Sequence, residues 1–461
     1  MKENLFHERK NGFTDIDSNT KTKVFGFCEK YKAAITEAKT EREFCNMAVK
    51  MLESAGFVAL DGQEKLNAGD KIYHVNRGKG ISAFVIGTLP ITDGVNIVGA
   101  HIDSPRLDLK PQPLYEDSGM ALLKTHYYGG IRKYQWYNIP LSLHGVVVKK
   151  DGTAINISIG EDADDPIFCI PDLLPHLASK YGGKKLSEAF EGEKLNVLVG
   201  NIPCSDAEKE KVKYGVMSLL NEKYGICEAD LMSSELELVP AFAARDLGFD
   251  RSMIAGYGHD DRVCAYTALR AIMDTKKPEK TAVCLLVDKE EIGSMGNTGM
   301  QSRNFENVLA KVCSLCSGEY NELMLRECLS NSQCLSADVG AAYDPSFPEV
   351  YEKNNSAYVN EGLLLTKYTG ARGKSGSSDA SAEFMAKIRG IFEDNGVVWQ
   401  SGELGKVDIG GGGTIAQFVA NLDVDVIDCG VPLLAMHAPN EVAGKFDIYM
   451  AYCGYKAFMN S

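Results

Sequence analysis

Carboxylate and histidine side chains follow several apolar segments of this chain, directly after the point where each segment ends. They are His101, the pair Glu290 and Glu291, Asp338, and His437. A further carboxylate, Asp260, stands just before a predicted helix. Imidazole and carboxylate groups are ligands that zinc and related divalent ions accept. These residue types therefore predict a metal site, provided that the fold brings the ends of the segments together.

Parallel strands are the elements that could bring them together. In an open parallel sheet, ligands collect outside the carboxyl ends of the strands, so residues that are far apart in sequence meet there. The apolar runs 95–100 and 283–287 have the length and composition of buried strands. We therefore expect His101 and the glutamate pair to lie at one edge of one sheet. Taken alone, His101 is also compatible with a hydrogen-bonded surface histidine.

Asp103 follows His101 at a spacing of two, which places both side chains on the same face of a strand. Asp103 could then hold the ring nitrogen that does not face the metal, and so fix the tautomer of the imidazole. We expect Asp103 to support catalysis in this way.

The two paired-carboxylate motifs each allow two interpretations. Asp260 and Asp261 precede an apolar-periodic helix, so one of them could bind a metal or simply cap that helix. Glu290 and Glu291 follow a strand, where one carboxylate could bind a metal while its neighbour acts as general base. The alternative for the glutamates is an ordinary charged turn between a strand and a helix.

The composition is that of a large globular enzyme. The chain has 461 residues, 44% apolar and 24% charged, so it can bury a full core and exceeds the usual size of one domain. A formal net charge of -14 disfavours nucleic acid and anionic membranes as partners. No apolar run approaches the roughly 20 residues of a membrane span, and no signal-like segment begins the chain. The 13 cysteines, an odd number, indicate free thiols in a reducing compartment, so we expect a cytoplasmic protein.

The order of the predicted elements indicates an α/β domain that is interrupted by an insertion. We expect a doubly wound, mostly parallel sheet in a catalytic domain made of 1–108 and 240–461. The inserted domain, 109–239, is expected to be mainly β.

Two local patterns define elements of the insertion. Strand signals on either side of Asp151 and Gly152 predict a β-hairpin. Ser205 and Glu208 match a capping box, which predicts a helix that begins there and runs to about Tyr224.

Several longer motifs occur in a fixed order along nearly the whole chain. They are Gly99-Ala100-His101-Ile102-Asp103-Ser104-Pro105-Arg106, His259-Asp260-Asp261-Arg262, Asp288-Lys289-Glu290-Glu291-Ile292-Gly293-Ser294, Ser336-Ala337-Asp338, Lys406-Val407-Asp408 with Gly412-Gly413-Thr414-Ile415, and Met436-His437. Through these motifs the chain resembles the aspartyl aminopeptidase and vacuolar aminopeptidase I family of dinuclear zinc peptidases.

The resemblance implies a specific site and assembly. It implies two divalent ions per chain, most readily zinc, although manganese or cobalt would also suit oxygen and imidazole donors. The implied ligands are His101, Asp260, Glu291, Asp338 and His437, with Asp260 bridging the ions and Glu290 as general base. It also implies that the insertion serves oligomerisation, with dimers assembling into a tetrahedral dodecamer that acts on peptides.

Departures from the family pattern bear on specificity. Tyr134 stands where the family has a histidine that is thought to reach a neighbouring active site, and Ala341 and Ala342 replace further histidines. Lys406, together with Arg132 and Lys133, could supply positive charge instead. We therefore expect an aminopeptidase with Lys406 and Tyr134 near the substrate and a possible preference for N-terminal Asp or Glu.

Three alternatives remain open at this point. The enzyme could prefer neutral, leucine-like N-terminal residues. It could be a related dinuclear hydrolase that cleaves N-acyl amino acids. It could also be a non-catalytic homologue that serves assembly alone, although such a protein would have little reason to keep Glu290.

Overall fold

The structure is a computed structural model that describes Leu5 and residues 9–461. The chain divides into two compact units. The first comprises the chain through Asp103, Ala244–Met436 and Asn440–Ser461, and the second comprises Ser104–Ala243 with His437–Pro439.

The regular elements are as follows, within the described residues. The α-helices are α1 (Ser18–Glu37), α2 (Glu41–Ser54), α3 (Leu186–Ala189), α4 (Lys211–Tyr224), α5 (His259–Asp274), α6 (Asn304–Ser317), α7 (Glu322–Ser330), α8 (Ala382–Asp394), α9 (Ala416–Ala420) and α10 (Lys445–Met459). The strands are β1 (Val58–Ala59), β2 (Lys71–Val75), β3 (Ile81–Val85), β4 (Val95–His101), β5 (Arg106–Asp117), β6 (Met120–Tyr128), β7 (Leu141–Val148), β8 (Ala154–Ile159), β9 (Asn196–Gly200), β10 (Ser234–Pro240), β11 (Arg245–Leu247), β12 (Met253–Gly256), β13 (Thr281–Val287), β14 (Gln333–Ser336), β15 (Gly340–Ala341), β16 (Leu363–Thr366), β17 (Gly370–Ala371), β18 (Trp399–Ser401), β19 (Gly411–Gly412), β20 (Asp425–Gly430), β21 (Pro432–Leu434) and β22 (Glu441–Gly444).

The first unit is built on a large mixed sheet with the strand order β1-β2-β3-β13-β4-β14-β20-β16-β18. Its central strands β13, β4, β14 and β20 are all parallel to one another, while β3 and β16 run antiparallel to their neighbours β13 and β20. Parallel central strands with crossover connections are the hallmark of α/β architecture, so the predicted fold class is confirmed.

Both faces of this sheet are covered by helices, because its central strands are apolar on both sides. Along β4, Val98 and Ala100 contribute to one hydrophobic cluster, whereas Val95 and Ile97 contribute to the other. Helices α1, α2, α5, α8 and α10 supply side chains to the first cluster, and α6, α7 and α9 supply side chains to the second. Apolar side chains on both faces of the strand, in period-two alternation, are typical of a buried parallel strand.

A smaller sheet in the first unit has the order β11-β12-β22-β21-β15. Its strand β12 leads into α5, where Asp260 lies, and its strand β15 follows β14 and Asp338. The smaller sheet therefore adjoins two segments that hold predicted ligands. A two-stranded pair, β17 with β19, completes the sheets of this unit in the described part of the chain.

The second unit is mainly β, with the sheet order β8-β7-β10-β5-β6-β9. The hairpin predicted around Asp151 is confirmed as the antiparallel pair β7 and β8. The predicted start of the following helix is wrong: α4 begins at Lys211, not at Ser205. The reason is a long-range contact, because the carboxylate of Glu116 accepts the N–H groups of Val212 and Lys213 at 2.8 and 3.0 Å and so caps the helix from another strand.

The 13 cysteines are free thiols in the structure. Among the described residues, no helix combines the length and apolar character that a membrane crossing would require. The assignment of 109–239 to oligomerisation stays a prediction.

Candidate metal centre

Three neighbouring strands end at the same edge of the large sheet, and each is followed by predicted ligands. In the register of the sheet, Val287 of β13 pairs with His101 of β4, and Ser336 of β14 pairs with Gly99. The turn that carries Glu290 follows β13, and Asp338 follows β14. The parallel arrangement thus delivers residues from distant parts of the chain to one place, as the strand-end rule predicts.

His101 lies at the centre of this group and is almost fully buried. Its Nδ1 lies 3.0 Å from the carbonyl oxygen of Asp103, which can only accept, so Nδ1 carries the hydrogen. The basic nitrogen of the neutral ring is therefore Nε2. It lies 3.2 Å from Asp260 Oδ1, 4.0 Å from Glu290 Oε2 and 4.0 Å from Asp338 Oδ1.

Asp103 does more than the sequence indicated. Its Oδ1 lies 3.3 Å from His101 Nδ1, close to the predicted contact, but the stronger interactions of the carboxylate are with backbone. Oδ1 accepts the N–H of Glu290 at 3.1 Å and Oδ2 accepts the N–H of Glu291 at 3.2 Å. One buried carboxylate therefore orients the imidazole and the glutamate turn together.

The glutamate pair stands on a single 3-10 turn, Glu290–Ile292. Lys289 before the turn and Gly293 after it both adopt left-handed backbone conformations, with φ of 69° and 94°. The chain therefore reverses sharply here, as many functional strand-to-helix turns do, and the Asp103 carboxylate satisfies N–H groups that the short turn leaves open.

Two groups of side chains could each hold a metal ion, and His101 belongs to both. One group is His101, Asp261 and Asp338, and the other is His101, Asp260 and Glu291; in each, one potential ligand atom per residue lies within 4.8 Å of the others. Of the sequence-predicted ligands, the structure therefore groups His101, Asp260, Glu291 and Asp338.

Asp261 was considered as a possible ligand or helix cap but was not among the predicted ligands. The backbone of Asp260 and Asp261 is non-helical, and the regular helix continues from Arg262. The structure does not support a capping role for Asp261, because no backbone N–H among the described residues donates to its carboxylate in ordinary geometry. The peptide bond between Asp260 and Asp261 is cis. Both carboxylate oxygens of Asp261 are buried, and no donor in residues 9–461 meets ordinary hydrogen-bond geometry with either. Against the effect of burial, the Cys264 thiol and the backbone of His101 lower the pKa of Asp261 only in part. A buried carboxylate with such weak donors fits a site that is completed by a cation.

The electrostatics of the group also fit a cation. Burial raises the pKa of the Asp261 and Asp338 carboxyls well above their ordinary values, and neighbouring aspartates raise them further. Burial alone would lower the pKa of His101, but the hydrogen bonds with Asp103 and Asp260 raise it well above its ordinary value. A divalent ion would favour the ionised carboxylates and take the place of the extra proton on the imidazole.

His437, the remaining predicted ligand, belongs to neither group and lies in the second compact unit. Its backbone is left-handed, with φ of 65°. Its Nδ1 lies 2.9 Å from the carbonyl oxygen of Gly130, and the absence of a side chain at Gly130 allows this approach. Because the carbonyl accepts, Nδ1 donates and Nε2 is the basic nitrogen, as metal-binding histidines require.

Sequence reasoning missed the residues that support the Asp260 turn. Glu441, on β22, is buried, and its Oε2 accepts the N–H of Asp260 at 3.1 Å. Arg262 is fully buried and donates to the carbonyl oxygens of Gly258 and Tyr257. The proximity of Glu441 to His437 in sequence was the one available signal, and it is a weak one.

Asp428 was also missed. It lies on β20, in register with Ser336 of the neighbouring strand β14, and its Oδ1 accepts the hydroxyl of Thr414 at 2.6 Å. This bond ties the glycine-rich segment before α9 to the central sheet. Burial raises the pKa of the Asp428 carboxyl to about 6, although its bonds with Thr414 and Ser336 act to lower it.

The two predicted substrate contacts lie on exposed segments. Lys406 is exposed, and its backbone N–H donates to Val350 at 2.9 Å. Tyr134 is 37% exposed on a 3-10 turn, with the guanidinium of Arg132 5.0 Å from the centre of its ring. Neither residue belongs to a metal-binding group, and their roles stay predictions.

Comparison with known proteins identifies the family. The model of the family described as aminopeptidase I zinc metalloprotease (M18) matches residues 34–459. A probable M18 family aminopeptidase 1 from Clostridium acetobutylicum is 53% identical over the full length of both chains. The crystal structure of an M18 family aminopeptidase from Thermotoga maritima superposes with a TM-score of 0.95 at 46% identity, covering 99% of this chain and 100% of that one.

A more distant relative shares the fold. The structure of the S. cerevisiae mApe1 dodecamer has a TM-score of 0.76 at 22% identity and covers 94% of this chain and 96% of that one. The matches at 46% and 53% identity cover 99% and 100% of this chain. This chain is a metallo-aminopeptidase and belongs to the M18 family of aminopeptidase I zinc metalloproteases.

Proposed function

We propose that this aminopeptidase removes N-terminal residues from peptides by using two metal ions, with Glu290 as general base. The ligands are His101, Asp260, Glu291, Asp338 and His437, with Asp260 shared between the ions. The two donor groups together gather four carboxylates, those of Asp260, Asp261, Glu291 and Asp338, around His101, which is more than one ion needs and supports a site for two ions.

One observation carries this assignment. Glu290 and Glu291 are held on the same turn by the two oxygens of one carboxylate, yet only Glu291 belongs to a metal-binding group. Glu290 Oε2 instead lies 4.0 Å from His101 Nε2, at the edge of the cluster and partly exposed. A carboxylate beside the ligands but not among them is in the position that a general base needs.

The roles of the side chains follow from this placement. When bound, divalent ions would lower the pKa of the attacking water and polarise the scissile carbonyl. Glu290 accepts the proton of that water and returns it to the amine that leaves. Asp103 keeps Glu290 and the His101 ring in a fixed relation while the proton moves.

Zinc is the ion that the family description supports. The proposed donors are nitrogen and oxygen atoms without a thiolate, so manganese and cobalt also fit the site. Because the thiols are free and no membrane-crossing helix is described, we place the activity in the cytoplasm.

We propose that Lys406 and the segment around Tyr134 select the N-terminal residue of the substrate. Lys406, Arg132 and Lys133 offer positive charge that would favour Asp or Glu. Tyr134, in place of the histidine of the family pattern, weakens that preference, so leucine-like residues are the competing substrates.

We also propose that the chain assembles through its second unit, in dimers that build a tetrahedral dodecamer. This unit exposes large apolar side chains, among them Ile167 at 59%, Leu177 at 61% and Ile202 at 86% exposure. Exposed apolar groups of this kind are typical of interfaces. The dodecamer of the S. cerevisiae relative supports the stoichiometry.

Metal content and substrate range test the proposal together. Elemental analysis of the purified protein should find two ions per chain, and chelation should abolish hydrolysis of aminoacyl anilides that readdition restores. A panel of Asp-, Glu- and Leu-anilides then identifies the preferred residue. Failure to bind two ions after reconstitution with zinc, manganese or cobalt would refute the dinuclear site. No turnover of any anilide by the metal-loaded protein would refute the function.

A further inference from the structure

The N-terminal helix reaches the turn that carries two candidate ligands. Tyr31 of α1 and His259 are both fully buried, and the hydroxyl of Tyr31 lies 2.7 Å from Nδ1 of His259. A hydroxyl and an imidazole nitrogen at this distance share one hydrogen. Whichever group donates, the bond fixes the rotation and the tautomer of the ring.

His259 is the residue directly before Asp260, so a contact that holds its ring bears on the start of the turn that carries the candidate ligands. The rings of Tyr31 and His259 also pack together, with centroids 5.6 Å apart. No solvent reaches either group, so water cannot replace the hydroxyl if it is removed. Removal of the Tyr31 hydroxyl would therefore take this hydrogen-bond partner away from His259 Nδ1.

A second contact joins the same helix to the same turn. Ala38, directly after α1, accepts a hydrogen bond at 3.0 Å from Arg262 Nη1. The other nitrogens of this guanidinium bind the carbonyl oxygens of Tyr257 and Gly258, at 3.2 and 3.1 Å. A Cβ atom at Gly258 would overlap the guanidinium, and the φ of 72° also favours glycine there. The turn is thus packed against α1 at both its ends.

On the other side, the carboxylate of Glu441 accepts the N–H of Asp260 at 3.1 Å. The segment from His259 to Arg262 is therefore clamped between β22 and α1. Residues that orient the ligands of a metal site commonly affect its affinity almost as strongly as the ligands themselves.

We propose that Tyr31 is a positioning residue of the metal centre, which acts through His259 to hold Asp260 and Asp261 in place. The inference rests on the proposed function, because it assumes that this turn binds metal. Tyr31 lies outside residues 34–459, the range that the family model matches, so it adds to the site from beyond that range.

Zinc affinity, measured by competition with a chromogenic chelator on the metal-free full chain, tests this role. Tyr31→Phe removes only the hydroxyl and should weaken zinc binding about tenfold, in the range usual for residues that orient ligands. The matched control is Tyr73→Phe, which removes another hydroxyl bond of similar length, 2.8 Å to Glu53 Oε1, at a place remote in sequence from every ligand. Its zinc affinity should stay within about twofold of that of the unsubstituted protein.

A double-substitution cycle separates positioning from general destabilisation. His259→Gln should itself weaken zinc binding, and in that background Tyr31→Phe should have less than about a twofold further effect. The melting temperature of each metal-free variant verifies that it is folded, and His259→Gln provides an independent arm if Tyr31→Phe is not.

Two results would overturn the inference. One is a folded Tyr31→Phe variant that binds zinc as tightly as the unsubstituted protein. The other is an undiminished loss in the His259→Gln background, which would mean that Tyr31 does not act through His259. If the unsubstituted protein itself bound no zinc, the proposed metal centre would fail, and this inference with it.

Discussion

Oδ1 of Asp103 accepts the backbone N–H of Glu290 at 3.1 Å, and Oδ2 of the same carboxylate accepts that of Glu291 at 3.2 Å. Asp103 also lies against Nδ1 of His101 through its carbonyl oxygen and its carboxylate. A single residue just after β4 thus links the proposed general base, one proposed ligand on the same turn, and a second proposed ligand, His101, at the end of β4.

Replacement of Asp103 by Asn should therefore lower activity without removing a ligand. The amide keeps one acceptor oxygen, but its NH2 group would face a backbone N–H, so one end of the glutamate turn loses its partner. We expect kcat to fall by about 10- to 100-fold, the range seen when residues that orient metal ligands are changed. Steady-state kinetics at saturating zinc measures this loss. Activity equal to that of the unsubstituted protein would show that the turn does not need the carboxylate.

The glutamate pair allows a matched comparison. Glu290→Gln should keep the metal content and the fold but reduce kcat by a factor of about 100 to 10,000, because a general base is lost. Glu291→Gln should instead reduce the metal content measured by elemental analysis. The reverse pattern, in which Glu290→Gln loses metal and Glu291→Gln keeps it, would exchange the two roles.

Replacement of Asp261 by Asn should stabilise the metal-free protein and weaken its binding of zinc. Asn at this position removes a buried carboxyl whose pKa burial raises well above its ordinary value. The metal-free protein should become more stable at neutral pH, by roughly 1 to 3 kcal/mol, because folding then requires neither burial of the charge nor uptake of a proton. Urea unfolding in the presence of a chelator measures the gain, and zinc titration should show weaker binding. An unchanged metal-free stability would mean that the pKa of the Asp261 carboxyl is not raised in the folded protein.

Asp428 should make metal-free stability depend on pH. Its pKa is about 6 in the folded protein and 3.8 as the ordinary value, so the folded state binds more protons between those pH values. The stability that Asp428 contributes is therefore present at low pH and is lost as pH rises from about 4 to about 6. Between pH 4 and pH 7, the free energy of unfolding of the unsubstituted protein should fall by about 2 to 3 kcal/mol relative to that of Asp428→Asn.

The control for this measurement is Asp425→Asn, an exposed carboxylate on the same strand. Urea unfolding with chelator present should show the same pH dependence for this variant and the unsubstituted protein. If Asp428→Asn also follows that pH dependence, the raised pKa is not the source of the effect.

The position of Tyr134 provides a test of specificity. Tyr134→His restores the residue of the family pattern and should raise the ratio of kcat/KM for Asp-anilide to that for Leu-anilide. Lys406→Met removes a positive charge and should lower the same ratio. Each effect should be about tenfold, as for one charge-assisted contact with substrate. Equal ratios in all three proteins would mean that neither side chain contacts the N-terminal residue.

The strand-end ligands could be predicted from sequence because two regular rules apply to them. Buried parallel strands are apolar throughout, so His101 and Glu290 are conspicuous where the strands stop, and such sheets collect functional groups at one edge. The same reasoning could not assign Asp261, because two adjacent carboxylates before a helix satisfy a cap pattern as well as a ligand pattern.

Long-range contacts explain what local patterns missed. The capping box at Ser205 looked complete in sequence, but Glu116 of β5, 96 residues before Val212, caps α4 instead. Glu441 and Tyr31 likewise act on the Asp260 turn from the two ends of the chain. Partners of this kind have no spacing rule that a single sequence can show.

Helix α1 determines where the N-terminus of a shortened, stably folded version of this protein can lie. The family match begins at residue 34, but the helix begins at Ser18 and buries Val24, Cys28 and Tyr31 in the core of the first unit. A fragment that starts at residue 34, where the match to the family model begins, would therefore keep every proposed ligand and lose part of the core that supports them. Poor yield or weak activity of such a fragment would report an incomplete folding unit, and it would say nothing about the chemistry of the site.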